Sequence, residues 1–175
     1  MAEVFLRRLT RWQAEQQREV MANLYVECHG LDGPGSGAVR QGFLERFERH
    51  VQEPDFDMVT ANSGAVLAGC LYGFRAERGG VLADTLRNIL PTEAAAQAGA
   101  GRLFVITELM VVPEYRRLGV ATRLRDLLLS RHTADVIVAA TPPGAAHEVL
   151  RAWSYAKLGE LASPPREAWL GPRPG

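Results

Sequence analysis

One acidic side chain interrupts a long apolar stretch of this 175-residue chain. Glu108 is the single ionisable residue between Phe104 and Val112. A carboxylate in such a segment is costly to bury unless it meets solvent, a partner or a substrate. Burial also raises the pKa of carboxyl groups in general towards the range that a general base needs. The residue is therefore either a general base or a structural glutamate paired with an arginine or with backbone groups.

A second set of residues that could bind a ligand follows a few positions later. Arg116, Arg117 and Gly119 stand between the apolar stretch and a run with helical spacing. The first turn of a helix has backbone N–H groups without intrahelical acceptors, and the helix dipole makes this end attractive to anions. The pattern predicts an anion site. The alternative is a strand–helix unit of some other α/β protein with arginines on its solvated surface, which does not explain why the two arginines and the glycine converge on one helix start.

The elements that must position these residues can be read from the same stretch. Residues 103–112 are β-branched or apolar apart from Thr107 and Glu108, which predicts a strand buried on both faces. Pro113 cannot donate to a ladder and should end the pairing. A helix should follow, with an apolar stripe formed by Val120, Leu124, Leu127 and Leu128.

The anion loop matches neither of the common nucleotide loops, since the chain contains no Walker pattern and no Gly-x-Gly-x-x-Gly pattern. It reads Arg116-x-x-Gly119-x-Ala121, preceded by Val-x-Pro-x-Tyr-Arg. In this setting the sequence resembles the GCN5-related N-acetyltransferase (GNAT) superfamily. The resemblance implies a single-domain α/β (α+β) acyl-CoA N-acyltransferase fold over residues 1–175, with a mixed central sheet flanked by helices. The match weakens after Leu161, and residues 163–175 form either a last strand near 168–170 or a tail.

The resemblance also implies a cofactor and a set of site residues. The cofactor is acetyl-CoA, and Glu108 stands where the family often carries a catalytic glutamate. The main chain at the end of the strand would pair with the pantetheine arm, through Met110, Val111 and Val112. The loop and first helical turn would hold the pyrophosphate, through Arg116, Arg117, Leu118, Gly119, Val120, Ala121 and Thr122.

Two departures from the family pattern concern catalysis. Leu150 occupies the position where relatives often have a tyrosine that returns a proton to the CoA thiolate, and no asparagine follows Ala140. The sequence therefore leaves open an acetyl-CoA-dependent N-acetyltransferase, a non-catalytic acyl-CoA-binding module and, less favoured, a binder of another phosphate ligand. His147 and Glu148 are adjacent, so on a helix they point about 100° apart and do not act as a pair. A surface histidine is the expectation for His147.

The rest of the chain predicts helices around 12–29 and 39–52 and a hairpin over 56–75. Residues 76–102 form a long insertion, with a helix whose apolar residues are Val81, Leu82, Leu86, Ile89 and Leu90, followed by a short helix over 92–97. A connection of this length is typically functional or disordered. We expect it to be part of the acceptor pocket wall, and the alternative is a surface insertion.

Composition limits the classes of partner. Lys plus Arg and Asp plus Glu each number 20, so the formal net charge is zero and no general basic field attracts nucleic acid or anionic membrane. No apolar run approaches the ~18–20 residues of a membrane span, and no signal peptide is evident. Cys28 and Cys70 are expected to be buried free thiols of a cytoplasmic protein. The expected partner is a primary amine on a small molecule or a protein, and the chain is expected to be a monomer or a homodimer.

Overall fold

The computed structural model describes residues 3–29, 33–132, 136–144, 146–162 and 165–172. They form seven strands and seven α-helices. The strands are β1 (Phe5–Leu9), β2 (Asp57–Ser63), β3 (Val66–Arg75), β4 (Leu103–Val111), β5 (Val136–Thr141), β6 (Ala156–Leu161) and β7 (Arg166–Leu170). The helices are α1 (Arg11–Gln16), α2 (Arg18–Cys28), α3 (Ser36–Val51), α4 (Val81–Arg87), α5 (Thr92–Gly99), α6 (Val120–Leu129) and α7 (His147–Ala152), with a 3₁₀ turn at Pro113–Tyr115.

The strands form one mixed sheet in the order β1-β2-β3-β4-β5-β7-β6. Strands β4 and β5 are parallel, whereas β1/β2, β5/β7 and β6/β7 are antiparallel. The predicted mixed sheet flanked by helices is therefore confirmed. Within the segment 163–175, which the sequence left as strand or tail, residues 166–170 form strand β7, while 163–164 and 173–175 lie outside the described residues. Strand β7 lies between β5 and β6 and pairs Trp169 with Ala139 and Arg166 with Leu161.

The described residues divide into two compact units. The first is drawn from Met1–Gln52, Phe56–Tyr72 and Leu109–Arg131, and the second from Glu53–Asp55, Gly73–Glu108 and His132–Gly175. Strands β3 and β4 each contribute residues to both units. The core of the first unit forms because α3 has apolar residues at helical spacing, Phe43, Phe47 and Val51, all at most 1% exposed.

The N-terminal helical region differs from the prediction. The expected single helix over 12–29 is two helices, α1 and α2, which meet at Gln17. Thr10 caps α1, because its hydroxyl accepts the N–H of Gln13 at 3.1 Å and the Gln13 side chain accepts the N–H of Thr10 at 2.9 Å. No helix among the described residues is long and apolar enough to cross a membrane.

The second unit contains the insertion at 76–102. The insertion forms α4 and α5, and Leu86 and Ala98 are fully buried in a cluster with Leu103, Val105 and other apolar residues of β4 and β5. It is therefore not a surface decoration. Val81 was predicted to belong to the apolar stripe, but it is the first residue of α4 and its side chain is 85% exposed. The stripe that faces the core comprises Ala83, Leu86 and Leu90.

Candidate active site

The loop between β4 and α6 has the backbone conformation of an anion site. Arg117 has a φ of 63° and Gly119 has a φ of 80°, so two residues of the loop are left-handed. Gly119 is the N-cap of α6, and a Cβ built on it would meet no atom within 4 Å. Left-handed residues in a turn direct backbone N–H groups into a shared concavity, and the helix dipole adds to its attraction for anions. The loop therefore has both open space and donors suited to a phosphate group.

The arginines around this loop are largely engaged with the protein. Arg116 donates through Nε to the carbonyl of Val111 at 2.8 Å and through a terminal nitrogen to the carbonyl of Cys28 at 2.7 Å. Arg123 donates to the carbonyl of Val4, and Arg125 forms an ion pair with its neighbour Asp126. The Arg116 side chain thus joins the end of β4 to the end of α2. Its predicted contribution to cofactor binding, which stays a prediction, would come from its main chain.

Main-chain groups at the end of β4 are also partly used by the protein. The N–H of Val112 donates to the carbonyl of Ala68 at 2.9 Å, and a Cβ on Gly69 would lie 2.8 Å from the carbonyl oxygen of Met110. The glycine is therefore required for this close approach of β3 to β4. The predicted pantetheine contacts of Met110, Val111 and Val112 stay predictions, and the N–H of Val112 is already occupied in this structure.

Glu108 is buried at the middle of this strand and has one charged partner. Its side chain is 1% exposed, and its Oε1 accepts a hydrogen bond of 2.7 Å from Arg166 on β7. The guanidinium compensates the buried negative charge. The other oxygen, Oε2, is buried and has no hydrogen-bond partner among the described residues. Glu108 therefore has an arginine partner, as expected for a structural glutamate. Its second oxygen is nevertheless able to accept a proton, as a general base requires.

Two further residues near Glu108 have buried hydroxyl groups: Thr107 precedes it in the sequence, and Thr141 lies on the neighbouring strand β5. Thr107 and Thr141 are 6% and 2% exposed, and their Oγ1 atoms have no partner in the part of the chain that the structure describes. Both residues lie just beyond the parallel β4/β5 ladder, which ends at Ile106 and Ala139. Buried polar groups are normally satisfied by protein, water or a ligand. This end of the ladder is therefore a place where water or a polar substrate group would find acceptors.

Solved structures with the same arrangement identify the fold. Three of them align with 97–100% of this chain and with 91–98% of their own length: a histone acetyltransferase HPA2 and related acetyltransferase from Corynebacterium glutamicum, the N-acyl amino acid synthase FeeM from uncultured soil microbes, and the PaiA N-acetyltransferase from Thermoplasma acidophilum in complex with coenzyme A. Their sequence identities are 15%, 16% and 10%, and their TM-scores are 0.63, 0.64 and 0.58, respectively. The chain has the GNAT fold. No protein-family model matches it, and no curated protein matches it significantly in sequence.

Two residues lie at or near the position where the resemblance places a proton donor, which stays a prediction. Leu150 is 1% exposed in α7 and offers no titratable group. Tyr155 is 6% exposed, and its ring lies 6.0 Å from that of Trp153, centroid to centroid, so it is a core residue. Neither residue supplies an exposed phenol.

Sequence reasoning missed a charged cluster around Glu167 on β7. Glu167 is 4% exposed and accepts a hydrogen bond from the N–H of Gly144 at 2.5 Å, while its Oε2 lies 2.8 Å from His147 Nε2 and 3.1 Å from Lys157 Nζ. Burial acts to raise the pKa of Glu167, but the hydrogen bonds from Gly144, Lys157 and His147 outweigh it and the pKa is lowered. His147 is thus a half-buried partner of β7, and the expectation of a plain surface histidine was wrong. His147 and Glu167 are 20 residues apart in the sequence, so no local pattern indicates that they are paired.

One feature of the sequence points to a partner such as Arg166 for Glu108. A buried glutamate needs a compensating charge, and Arg166 lies two residues before the short apolar run Ala168-Trp169-Leu170 in the C-terminal segment. A candidate metal centre is not part of this site: no group of three or more His, Cys, Asp or Glu residues that could hold a metal occurs within the described ranges.

Proposed function

We propose that the protein is an acetyl-CoA-dependent N-acetyltransferase that transfers the acetyl group directly to a primary amine of a small molecule or a protein. The observation that carries the proposal is Glu108, a buried carboxylate on the strand that leads into the anion loop, one oxygen of which has no hydrogen-bond partner among the described residues. The GNAT fold supports it, and one structural neighbour was solved in complex with coenzyme A.

The residues present fit acetyl-CoA at the anion loop. Open space beside Gly119, two left-handed residues and the N-terminus of α6 together suit a pyrophosphate group. The loop from Arg116 to Thr122 would hold the phosphates, and the end of β4 from Met110 to Val112 would contact the pantetheine arm. Acetyl-CoA, when bound, supplies an activated acetyl group as a thioester.

Glu108 would accept the proton that the amine loses, through Oε2 directly or through a water molecule. Because Arg166 holds Oε1, the carboxylate is oriented as well as charged. Leu150 cannot return a proton to the departing thiolate, so water would do so. We infer that no covalent intermediate forms on the enzyme.

The first experiment is calorimetric titration of the purified protein with acetyl-CoA, followed by a CoA-release assay against a panel of primary amines. We expect binding and amine-dependent CoA release. Gly119→Glu should abolish acetyl-CoA binding by filling and repelling the anion site. Gly64→Glu is the matched control, because Gly64 also has a positive φ (58°) and open space around its Cβ position. Equal affinity of the two variants would overturn the assignment of the loop.

Glu108 is tested separately from the cofactor loop. Glu108→Gln should leave the calorimetric affinity for acetyl-CoA unchanged and lower turnover at neutral pH by about 10²–10⁴-fold, the usual contribution of a general base. A variant as active as the parent would remove Glu108 from the mechanism.

A non-catalytic acyl-CoA-binding module is the second candidate, and the absence of a donor at Leu150 favours it. Acetyl-CoA binding without CoA release across a broad amine panel would select this candidate. The same panel, repeated with longer acyl-CoA molecules, defines the acyl group. The proposal has further parts. The insertion at 76–102 would form part of the acceptor pocket wall. The protein would be cytoplasmic and either a monomer or a homodimer, and it would bind neither nucleic acid nor a membrane.

A further inference from the structure

Arg166 makes an unusual set of contacts for a strand residue. One terminal nitrogen donates to the carbonyl of Thr107 at 2.9 Å and to the carbonyl of Ala140 at 3.2 Å, while the other donates to Oε1 of Glu108 at 2.7 Å. Its side chain is 8% exposed. A single guanidinium therefore contacts the backbones of β4 and β5 and the carboxylate next to them.

The position of these carbonyls in the sheet explains what the guanidinium does there. The parallel ladder pairs Leu103–Ile106 of β4 with Val136–Ala139 of β5. Thr107 and Ala140 would form the next pair in this register, and there both carbonyls accept from Arg166. The arginine thus donates to a carbonyl of each strand at the point where the parallel ladder ends.

The same contacts fix the orientation of Glu108. A guanidinium is planar and rigid, and its donors point in set directions. Because one nitrogen is anchored on two carbonyls, the other holds Oε1 at a defined place, and Oε2 is left without a hydrogen-bond partner in the part of the chain that the structure describes. A lysine at the same position would keep the charge but present it as a single point.

We propose that Arg166 is a positioning residue for the acetyl-transfer reaction: it bridges the end of the β4/β5 ladder and presents Oε2 of Glu108 to the amine. This proposal rests on the proposed function. It assigns a role in the reaction to β7, the strand formed by the C-terminal segment, where the resemblance to the family is weakest.

The test is a double-mutant cycle with Arg166→Lys, Glu108→Gln and the double variant. Arg166→Lys should lower kcat about tenfold to a hundredfold, as expected for a misplaced catalytic group, with KM for acetyl-CoA unchanged. In the Glu108→Gln background the same substitution should cause no further loss, because there is no base left to position.

Two readouts do not depend on activity. Calorimetry should give the same acetyl-CoA affinity for all variants, and hydrogen exchange should show faster exchange in 103–108 and 136–141 for Arg166→Lys. Arg8→Lys is the matched control. Arg8 is also a partly buried arginine that contacts a carboxylate, Asp57, and a carbonyl, that of Leu127, but it does not contact Glu108. This control should leave kcat unchanged.

Each outcome decides the proposal. Three results would overturn it while leaving the proposed function intact. The Arg166→Lys variant could keep the parental kcat, or its loss of kcat could add to the loss caused by Glu108→Gln. The third is a loss of kcat in Arg8→Lys equal to that in Arg166→Lys. If the unmodified chain binds acetyl-CoA but releases no CoA with any amine, the proposed function and the role of Arg166 both fail. That result appears in the parent and is thus distinguishable from a failure of Arg166 alone.

Discussion

At the scale of single residues, Glu108 and Arg166 show how a charge is kept inside an apolar strand. An isolated carboxylate would carry a large desolvation penalty there, and the arginine 58 residues later offsets it with a short charge-assisted hydrogen bond. Buried ion pairs of this kind contribute little net stability, since desolvation nearly cancels the attraction. The pair by itself is therefore weak evidence for a stabilising role, and the role proposed for Glu108 gives it a different explanation.

Cys28 provides a second example of an environment that changes the chemistry of a side chain. Desolvation by burial raises the pKa of its thiol to about 11 from 9.0, although Arg116 acts in the opposite direction. At pH 8 the thiolate fraction is therefore about a hundredfold lower than for an ordinary cysteine, and the thiolate is the reactive form. We expect Cys28 in the folded protein to react with iodoacetamide at least about a hundredfold more slowly than in the urea-unfolded chain.

Mass spectrometry of timed samples, with site assignment by peptide mapping, measures this difference. Cys70 is fully buried and serves as the internal reference for a thiol protected by access alone. Raising the pH through 11 should accelerate modification of Cys28 while the fold persists. Equal rates for Cys28 in the folded and unfolded states at pH 8 would contradict the environment described here.

At the scale of elements, Glu167 joins three parts of the second unit. Through Gly144, His147 and Lys157 it connects the β5–α7 loop, the start of α7 and strand β6 to β7. Glu160 is its cross-strand partner in the register and brings a second carboxylate to the same face of the pair. The three donors outweigh burial and lower the pKa of Glu167, so the charged form is favoured in the folded state.

The sign of the pH dependence follows from the direction of that shift. A carboxyl with a lowered folded-state pKa contributes stability above its unfolded pKa of about 4.5, and this contribution is lost as the pH falls through the folded-state value. Glu167→Gln should therefore lower the free energy of unfolding by about 1.5–3 kcal/mol at pH 7, the usual size for hydrogen bonds to a charged group. The difference from the parent should shrink below pH ~4.5. Urea unfolding at a series of pH values measures it.

Lys157 and Glu160, which lie next to Glu167, help to separate the effect of the Glu167 charge on stability from other contributions. The hydrogen bond to Glu167 raises the pKa of Lys157, so the stabilising charge of that lysine is present throughout the acid range and is lost only on the alkaline side. Glu160→Gln is the matched control, since Glu160 is 76% exposed and contacts the same lysine. It should change stability by less than about 1 kcal/mol. A difference for Glu167→Gln that stays constant down to pH 3 would show that its charge is not involved.

At the scale of the whole molecule, local patterns were enough to predict elements but not their long-range partners. The apolar run of β4 and the helix after Gly119 each involve residues within a few positions of one another, and each was predicted. The placement of β7 between β5 and β6, and with it the contact of Arg166 with Glu108, depends on pairings across tens of residues. The division of the first helical region at Gln17 was missed because the apolar spacing continues across it.

The insertion at 76–102 offers the sharpest test of how the second unit is built. Leu86 on α4 is fully buried in the cluster that includes Leu103 and Val138, so Leu86→Ala removes buried methyl groups and leaves a cavity. We expect a loss of about 2–5 kcal/mol in the free energy of unfolding. Urea unfolding followed by circular dichroism measures it.

Val81→Ala on the same helix is the matched control, because the Val81 side chain is 85% exposed and its removal should change stability by no more than about 0.5 kcal/mol. A large loss at Leu86 alone would show that α4 is part of the core, so that any acceptor contact made by the insertion is made by a rigid element. Losses below about 1 kcal/mol at both positions would instead mean that the segment packs weakly. Binding of the acceptor amine would then have to order this segment. The entropic cost of that ordering would lower the affinity for the amine but not the affinity for acetyl-CoA.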